Sequence, residues 1–504
     1  MDRSHGPDLL DQAFTRAAGA SLVAGNRVRL LQDGAGNYPE WLRAIGAAQR
    51  QICFENFIFY EDEVGMEFAT ALIERARAGI EVRLNYDWLG CFGKASRRFW
   101  RPMLEAGVRV RCFNPPRTVH PIRWLQRDHR KLLAVDGEVG FITGLCVGKH
   151  WRGEPAKGIA PWRDTGVEIR GPALTEIETA FAEVWDRSEP LIGTTGTLAP
   201  DDFAPYTPPP RPITPAGSVA LRIVATAPGT LAVLRLDQLI AAAARRTLWL
   251  TDAYFAGIPP YIQALRAAAL DGVDVRLLVP GASDISILRP LSQAGYRPLL
   301  EGGVRVFEWK GSMLHAKTAV ADGRWARVGS SNLNIASWVG NYELDALVED
   351  EGFATQMEQM FEADIAQSTE IVLRRERRRL RRRHRTAEAL AAADGAEGRS
   401  GGASRAAAGA LRLGRTVGAA LTEQRVLATA EAKIVAVVAV VALLLAICIV
   451  IWPWIAAVPA ALFLAWASLV LFTRAASLRH ERRRQGLPTA RIARTTPQPE
   501  AGER

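Results

Sequence analysis

The sequence predicts an α/β fold built from two similar halves and followed by a hydrophobic hairpin. Helices and strands alternate in the same order in two successive parts of the chain. A motif of histidine, lysine and aspartate occurs once in each part, and a run without any charged side chain, 434–472, lies near the C-terminus. The length of 504 residues supports this division, since it exceeds one ordinary domain of about 150 residues.

The formal net charge of +10 comes from the C-terminal part of the chain. Residues 374–504 carry 23 basic and 9 acidic side chains, whereas the remaining 373 residues carry 40 basic and 44 acidic ones. A slightly acidic body lacks the broad cationic surface that nucleic-acid binding requires. We therefore expect no nucleic-acid partner. With 48% hydrophobic residues the composition also excludes a fully disordered chain and a transporter embedded wholly in the membrane.

The cysteine pattern and the N-terminus favour a reducing compartment. The five cysteines are scattered and form no CxxC pair, so the sequence contains neither a zinc-binding nor a redox motif. Clusters of histidine and carboxylate side chains with metal-ligand spacing are missing as well, so we expect no metal and no cofactor. Charged residues interrupt the first 30 positions and leave no apolar stretch for a signal peptide. We therefore expect the large N-terminal body to lie in the cytoplasm.

The repeat is visible in the order of predicted elements. The first half is predicted to contain helix 39–50, strand 51–60, helix 66–78 closed by Gly79, and strand 80–87. The second half is predicted to contain helix 232–246, strand 247–255, helix 262–271 closed by Gly272, and strand 273–279. In both copies a further helix then leads through a glycine to a short strand, at 105–115 and 301–310. Helices that alternate with buried strands imply α/β layers, and two similar halves imply a duplicated domain.

A stretch rich in proline and threonine, 194–215, separates the two halves and is not expected to form regular structure. The predicted organisation is an N-terminal extension 1–24, a first α/β domain 25–190, a linker 191–216, a second α/β domain 217–373, a spacer rich in arginine and alanine 374–432, a transmembrane hairpin 433–473 and a basic tail 474–504.

The uncharged run 434–472 would be roughly twice as long as a bilayer core is thick if it formed one helix, so we expect it to fold back. The sequence Trp452-Pro453-Trp454 divides it into two stretches that are each long enough to span. Arginines flank the run on both sides, which places both ends in the cytoplasm of an inner-membrane protein. A shallow re-entrant hairpin is the alternative. A buried pair of soluble helices is less favoured, because such helices keep a polar face.

Nine arginines lie between Arg374 and Arg385, upstream of this hairpin. A solvated helix end would explain some of them. So many cations next to a membrane segment favour contact with anionic lipid head groups instead.

The motif HxKxxxxD occurs twice, and its copies are separated by 186 residues: His129, Lys131 and Asp136 in the first half, and His315, Lys317 and Asp322 in the second. Chance is a poor explanation in a chain with only seven lysines and seven histidines. In an extended strand, residues two positions apart point to the same face, which places imidazole and ammonium side by side. The ammonium attracts a phosphate, and a neutral ring nitrogen can attack phosphorus. Structural roles are expected for His5, His120, His150, His384 and His480.

With these motifs the sequence resembles the phospholipase D superfamily, and specifically its bacterial cardiolipin synthase branch, over residues 25–371. The stretches 25–59 and 315–338 are similar to the same branch. The resemblance implies a bilobal fold of two α/β/α sandwich domains with pseudo-twofold symmetry, and an active site between the lobes to which each lobe contributes one motif. It also implies a mechanism in two steps through a phosphohistidine, without a metal. Many members carry transmembrane helices at the N-terminus or none, and this chain departs from them with its C-terminal hairpin.

The resemblance also implies roles for individual residues. His129 would be the nucleophile and His315 the general acid and base, although the sequence does not fix which is which. Lys131, Lys317 and Asn332 would hold the nonbridging oxygens, with Ser330 lining the same pocket.

The acidic residues of the family that orient the histidines match Asp164 and Glu343. A carboxylate bonded to one ring nitrogen fixes the tautomer and leaves the other nitrogen for chemistry. Asp136 and Asp322 would anchor the backbone locally rather than contact substrate.

The first half departs from the family pattern at Cys146, which stands where the second half has Asn332. A weak thiol donor thus replaces an amide, which affects the symmetry of phosphate binding. A small buried residue explains Cys146 better than thiol chemistry.

The leading hypothesis is a membrane-anchored phosphatidyltransferase that makes cardiolipin from phosphatidylglycerol or a related phospholipid. A phospholipase D that uses water as the acceptor is the first alternative, and a lipid-binding scaffold with a decayed site, suggested by Cys146 alone, is the second. A nuclease is disfavoured by the acidic body. The sequence does not determine the donor lipid, the acceptor or the oligomeric state.

Overall fold

The computed structural model describes residues 9–116, 126–191, 204–210, 214–284 and 288–373, together with Trp466 and Ser468. By its contacts the chain divides into two units, Met1–Gly395 and Ala396–Arg504, and the helices and strands with defined bounds lie in the first. Apart from Trp466 and Ser468, the predicted spacer, hairpin and tail lie outside the described residues. Among the helices that are described, none combines the length and the apolar character needed to cross a membrane.

The first half contains one mixed β-sheet. The strands up to residue 190 are β1 (Val23–Gln32), β2 (Gln51–Asn56), β3 (Glu81–Asp87), β4 (Arg109–Phe113), β5 (Arg127–Asp128), β6 (Lys131–Val135), β7 (Val139–Thr143), β8 (Thr165–Arg170) and β9 (Glu189–Pro190). Eight of them form the sheet, in the spatial order β1-β8-β7-β6-β2-β3-β4-β9. Strands β2, β3 and β4 are parallel, and the other neighbours are antiparallel.

The second half repeats this sheet. Its strands are β10 (Val219–Thr226), β11 (Thr247–Thr251), β12 (Asp274–Pro280), β13 (Arg305–Trp309), β14 (Thr318–Ala321), β15 (Trp325–Gly329), β16 (Asn341–Glu349) and β17 (Ser368–Ile371). Their spatial order is β10-β16-β15-β14-β11-β12-β13-β17, with β11, β12 and β13 parallel. Position by position this is the order of the first sheet, so the two halves share one topology. Two strands also pair across the halves, since the short strand β5 is parallel to β16 and the start of β1 is antiparallel to β10.

Helices cover both sheets. They are α1 (Leu9–Ala18), α2 (Asp33–Ala47), α3 (Glu63–Arg77), α4 (Trp88–Cys91), α5 (Arg97–Glu105), α6 (Lys149–Arg152), α7 (Leu174–Trp185), α8 (Ala232–Ala243), α9 (Pro259–Leu270), α10 (Leu288–Glu301) and α11 (Glu351–Ala366). A turn of 3-10 helix, Pro155–Lys157, and a π-helical turn, Ala336–Gly340, lie in loops. The α/β class predicted from the sequence is confirmed.

The core lies in three layers of apolar side chains. One cluster packs α2, α3 and α5 on the first sheet, and a second packs α8, α9 and α10 on the other sheet. A third cluster is common to both halves, because it combines α7 and α11 with residues from both sheets. Each sheet is therefore covered on both faces, which is why its strands appear in the sequence as nearly continuous apolar runs.

Two predicted strands extend too far at the same place in the repeat. The first ends at Asn56, where its pairing with β3 stops, and the chain then turns so that Tyr60 N donates to Val147 O at 2.9 Å. The second ends at Thr251, after which Asp252 Oδ1 accepts a hydrogen bond from Leu333 N at 2.8 Å. The residues that follow both strands are good strand formers. They leave the sheet because they have no further strand to pair with. The strand propensity of a residue does not predict where its pairing partners end.

Candidate active site

The two histidines occupy equivalent places just before β6 and β14. Lys131 is the first residue of β6, and Lys317 immediately precedes β14. In each copy the lysine ammonium turns back and donates to the carbonyl oxygen of the histidine two residues earlier. In the second copy Lys317 Nζ also lies 3.0 Å from Nδ1 and 3.1 Å from Nε2 of His315. Ring and ammonium are therefore neighbours there.

His129 is held by a carboxylate from the second half. Its Nδ1 lies 2.9 Å from Oε2 and 3.1 Å from Oε1 of Glu343, which is completely buried on β16. The ring of Phe57 packs edge-on against the imidazole with 4.8 Å between centroids. The backbone N–H of His129 donates to Tyr342 O at 2.9 Å. Backbone and side chain of His129 are thus both fixed by two consecutive residues of the other half.

His315 is held in the same way by the first half. Its Nδ1 lies 2.7 Å from Oδ2 of Asp164, and its backbone N–H donates to Arg163 O at 2.7 Å. The indole Nε1 of Trp151 donates to the same carboxylate oxygen at 2.8 Å, and the Trp151 ring lies edge-on to the imidazole at 5.3 Å. Each half therefore orients the histidine of the other, and neither half contains a complete site.

Both carboxylates are ionised. Burial alone would raise the pKa of Glu343, but the His129 ring and Lys131 lower it to about 2. Burial opposes ionisation of Asp164 too, and the hydrogen bond with the His315 ring and the charge of Lys317 nevertheless hold its pKa below the ordinary value. An ionised carboxylate only accepts hydrogen bonds, so Nδ1 of each histidine must carry the proton.

Both histidines are neutral at pH 7. Burial lowers the pKa of His129, and burial together with the Lys317 charge lowers the pKa of His315 to about 4. Since Nδ1 holds the proton of each neutral ring, Nε2 is left as a base or nucleophile. Burial also lowers the pKa of Lys317 to about 8. Two neutral imidazoles next to two lysines form a site that can bind an anion and attack it.

Ser330 lies against the carboxylate that orients His129. Its hydroxyl donates to Glu343 Oε2 at 2.5 Å and accepts from Leu344 N at 2.9 Å. Both interactions help to position the carboxylate. Asn332 differs, because its buried Oδ1 has no hydrogen-bond partner within the described residues.

Cys146, the counterpart of Asn332, is buried, and burial raises the pKa of its thiol. Its backbone oxygen accepts a hydrogen bond from Tyr38 Oη at 2.6 Å. A thiol kept neutral by burial is a poor nucleophile. The geometry agrees with a small packing residue.

Asp136 and Asp322 lie in tight turns after β6 and β14, both with φ of 55°. The carboxylate of Asp136 accepts backbone N–H groups of Gln49, Arg50 and Gln51 at 2.7 to 2.9 Å. Asp322 does the same for residues 245–247. These contacts join the turn to the start of the neighbouring strand, and they use the carboxylates fully.

Several residues that support the site were missed by sequence reasoning. Ser337 donates to Glu343 Oε1 at 2.6 Å, and Asp33 Oδ1 accepts from Asp164 N at 2.8 Å. Arg163 links the halves, since its Nε donates to Asp364 Oδ1 at 2.9 Å. The motif gives no sign of these contacts, because each depends on how the loops around the site fold.

His150, for which only a structural role is expected from the sequence, is close to the site. Its ring stacks on Trp162 at 5.0 Å, and Trp162 is 5.8 Å from the ring of His315. The other four histidines outside the motifs lie beyond the described residues. Within the described ranges, no group of three or more histidine, cysteine or acidic side chains is arranged to hold a metal ion.

Comparison with known proteins identifies the family. A family profile described as "Cardiolipin synthase, PLD-like domain" matches residues 236–365. The chain is 32% identical to cardiolipin synthase 1 of Bacillus cereus over 367 residues, which cover 72% of this chain and 71% of that protein. It is 34% identical to cardiolipin synthase A of Pseudomonas aeruginosa over 367 residues, 71% of each chain.

The fold is similar to that of phosphatidylserine synthase from Haemophilus influenzae, with a TM-score of 0.56 and 13% identity over 72% of this chain and 92% of the other. That likeness concerns the fold alone. The family is shown by relatives that are more than 30% identical over more than two thirds of their length. The chain belongs to the cardiolipin synthase family of phospholipase D-like proteins.

Proposed function

We propose that this protein makes cardiolipin by transferring a phosphatidyl group from phosphatidylglycerol, or a related phospholipid, to a second phosphatidylglycerol. The observation that carries the proposal is the reciprocal pair of sites, in which His129 and His315 are each held by a buried carboxylate from the opposite half. Neutral imidazoles beside fixed cations suit nucleophilic attack on a phosphodiester. The names of the relatives support cardiolipin as the product.

In the first step Nε2 of His129 attacks phosphorus and forms a P–N bond. The bond from phosphorus to the leaving alcohol oxygen breaks, and that oxygen takes a proton from Nε2 of His315. Ionised Glu343 stabilises the positive imidazole that forms. His315 is neutral in the free protein, but the anionic phosphodiester raises the pKa of a ring beside it, which protonates His315 in the complex.

The assignment of roles rests on the lysines. Lys317 Nζ lies 3.0 Å from Nδ1 and 3.1 Å from Nε2 of His315, so its charge is close to the whole ring and destabilises the positive imidazole that attack on phosphorus would create. At His129 the lysine contact goes to the carbonyl oxygen instead. This difference favours His129 as the nucleophile and His315 as the acid.

In the second step the acceptor hydroxyl forms the new P–O bond while the P–N bond to His129 breaks. The hydroxyl proton passes to Nε2 of His315, which is then ready for the next cycle. Lys131 and Lys317 hold the nonbridging oxygens through both steps, with the amide of Asn332 as the third donor. Lys317 is protonated and positively charged at pH 7, since its pKa is about 8.

A hydrolase is the second candidate, because water could take the place of the acceptor hydroxyl in the same second step. The ratio of cardiolipin to phosphatidic acid distinguishes the two. A scaffold with a decayed site is disfavoured by the intact contacts of both histidines with their carboxylates.

We also propose that residues 433–473 fold as a hairpin which holds the body at the inner membrane, on the cytoplasmic side, and that the arginines from Arg374 to Arg385 bind anionic head groups. The support comes from the sequence: an uncharged run with arginines on both sides. Removal of residues 430–504 should release the body into the soluble fraction. Continued sedimentation with membranes at high salt would contradict the proposal.

The domain organisation is proposed on similar grounds. Two lobes, 25–190 and 217–373, related by a pseudo-twofold axis, are supported by their common strand order and by the reciprocal contacts of His129 and His315.

Labelled phosphatidylglycerol added to membranes that contain the full-length protein tests the function. Labelled cardiolipin and free glycerol should appear, with and without a metal chelator, and not in the His129→Ala protein. Phosphatidic acid as the only product would favour the hydrolase. Products at the same rate from the His129→Ala protein would reject the mechanism.

A further inference from the structure

A row of aromatic rings runs from the catalytic ring of His315 to a lysine that the mechanism does not use. Trp162 lies 5.8 Å from His315 between ring centroids, His150 stacks on Trp162 at 5.0 Å, and Tyr60 lies edge-on to His150 at 5.1 Å. The ammonium of Lys94 is 5.3 Å from the centre of the Tyr60 ring. The row begins in one half of the protein and continues in the other.

Lys94 is fixed in place by its backbone. Its N–H donates to Cys91 O at 2.9 Å, and its carbonyl oxygen accepts from Glu61 N at 2.8 Å. Within the part of the chain that the structure describes, its half-buried ammonium contacts the Tyr60 ring and forms no ion pair with a carboxylate. The ring nitrogens of His150 likewise have no hydrogen-bond partner among those residues. A cation and a ring donor are therefore both available to a ligand.

Nearby acidic groups are already engaged. Asp62 accepts hydrogen bonds from the backbone N–H groups of Val64, Gly65 and Lys149, and Asp284 accepts from Tyr254 Oη at 2.9 Å. These hydrogen bonds hold both carboxylates in place without an ion pair to Lys94.

Lys94 belongs to the same electrostatic region as the catalytic lysines. Burial raises the pKa of the Cys146 thiol, and three positive charges oppose this effect: Lys131, Lys317 and Lys94. The charges of all three ammonium groups thus act on one buried position, Cys146, which is the counterpart of Asn332. Two of them serve the donor phosphate in the mechanism above, and the third has no role there.

A transferase with a phospholipid acceptor faces a charge problem that a hydrolase does not. The acceptor brings a second phosphodiester to a site that already holds the first, and like charges at short range repel. A fixed cation beside the first pocket removes much of this repulsion. Water and glycerol are uncharged acceptors and need no such cation.

We propose that Lys94 and His150 form a second anion site, which binds the phosphodiester of the acceptor phospholipid next to the catalytic pocket. The inference rests on the proposed function, because it concerns the second step of transfer. The chemistry of that step is unchanged: the acceptor hydroxyl forms the P–O bond, the P–N bond to His129 breaks, and the proton passes to His315. The second site holds the acceptor in reach during this exchange.

The test compares acceptors that differ in charge. The full-length protein in mixed micelles with phosphatidylglycerol performs two reactions: cardiolipin formation, with an anionic acceptor, and exchange of labelled glycerol into phosphatidylglycerol, with a neutral one. Lys94→Gln should reduce cardiolipin formation by about tenfold or more, through a higher KM for the acceptor, and change glycerol exchange by less than about twofold. Lys94→Arg should restore most of the loss, since it keeps the charge.

Matched controls separate the possible causes. Lys157→Gln removes the same charge from an exposed side chain paired with Glu154, and should leave both reactions unchanged. Glycerol 3-phosphate, a soluble acceptor with a phosphate, should depend on Lys94 as phosphatidylglycerol does. His150→Gln should weaken use of both anionic acceptors by a smaller factor.

Three results would overturn the inference: equal losses of both reactions in Lys94→Gln, full cardiolipin formation in that variant, or a dependence on Lys94 with phosphatidylglycerol but not with glycerol 3-phosphate. The last would mean that Lys94 binds the lipid surface rather than the acceptor phosphate. Failure of the wild-type protein to make any cardiolipin would instead reject the proposed function, and the second site with it.

Discussion

The two histidines have the same motif and the same place in the repeat, but their surroundings differ. Glu343, which orients His129, also accepts hydrogen bonds from the side chains of Ser330, Ser337 and Asn341. Asp164, which orients His315, accepts one from the Trp151 indole and one from the backbone of Thr165. Only in the second copy does a lysine ammonium contact the ring nitrogens. The environment, more than the motif, gives two identical side chains separate roles.

The largest expected effect comes from removing either ring. His129→Ala should abolish the covalent phosphatidyl-enzyme, whereas His315→Ala should slow departure of an alcohol by about 10² to 10⁴. A donor with a nitrophenol leaving group needs little protonation, so it should partly rescue the first step of His315→Ala, and the phosphohistidine should accumulate. Acid-quench trapping of the labelled enzyme measures both. Rescue of His129→Ala in its place would reverse the roles.

Exchanging a carboxylate for an amide should act on the opposite half of the protein. Glu343→Gln should reduce formation of the phosphohistidine at His129, by about 10² or more, because an amide can stabilise the wrong tautomer. Asp164→Asn should mainly slow reactions with poor leaving groups, which depend on His315. Ser337→Ala is the matched control, and loss of one hydrogen bond to Glu343 should cost about tenfold or less. Identical profiles for the two amide variants would contradict the reciprocal arrangement.

The dependence of activity on pH should differ at the two ends of the range. Because burial lowers the pKa of both histidines, the nucleophile stays neutral below their usual range, and kcat/KM should hold at acidic pH values where a free imidazole is already protonated. At the other end, Lys317 loses its charge as the pH rises through about 8. Lys317→Arg keeps the charge, so its weaker activity should persist above pH 9. Profiles with the nitrophenyl donor measure this, and an alkaline limb that stays at pH 8 in Lys317→Arg would disprove the assignment.

The smallest effects on catalysis are expected in the turns. Asp136→Asn weakens contacts with three backbone N–H groups at a buried position, which should cost about 1 to 3 kcal/mol of unfolding free energy. Asp322→Asn should cost less, because Asp322 is more exposed. Thermal melting gives the stability, and the specific activity of the folded protein should change by less than about twofold in both. A large loss of activity at full stability would place these carboxylates in the reaction.

Much of the fold was predictable because its signals are local. The order of helices and strands follows from apolar periodicity, and the paired sites follow from a spacing that chance does not explain. The contact of Glu343 with His129 is different. The resemblance names both residues, but no periodicity says that a carboxylate crosses to the other half, since that depends on how the halves pack.

The same reason explains what sequence reasoning missed. Ser330 was expected to line the phosphate pocket, and its support of Glu343 was not foreseen, because the β16 backbone brings Leu344 and the carboxylate to its hydroxyl. His150 was given a structural role, yet a loop carries it beside Trp162 and toward His315. Neither contact could be predicted from the few residues on either side of the side chain concerned.

The reciprocal carboxylates make the interior of this single chain resemble the interface of a symmetric dimer. In such an interface residue i of one subunit contacts residue j of the other, and j contacts i, as Glu343 and Asp164 do with the two histidines. A true homodimer would repeat every substitution on both sides. A covalent pair of lobes is released from that constraint, so Cys146 can stand opposite Asn332 and one imidazole can specialise as nucleophile while its twin handles protons.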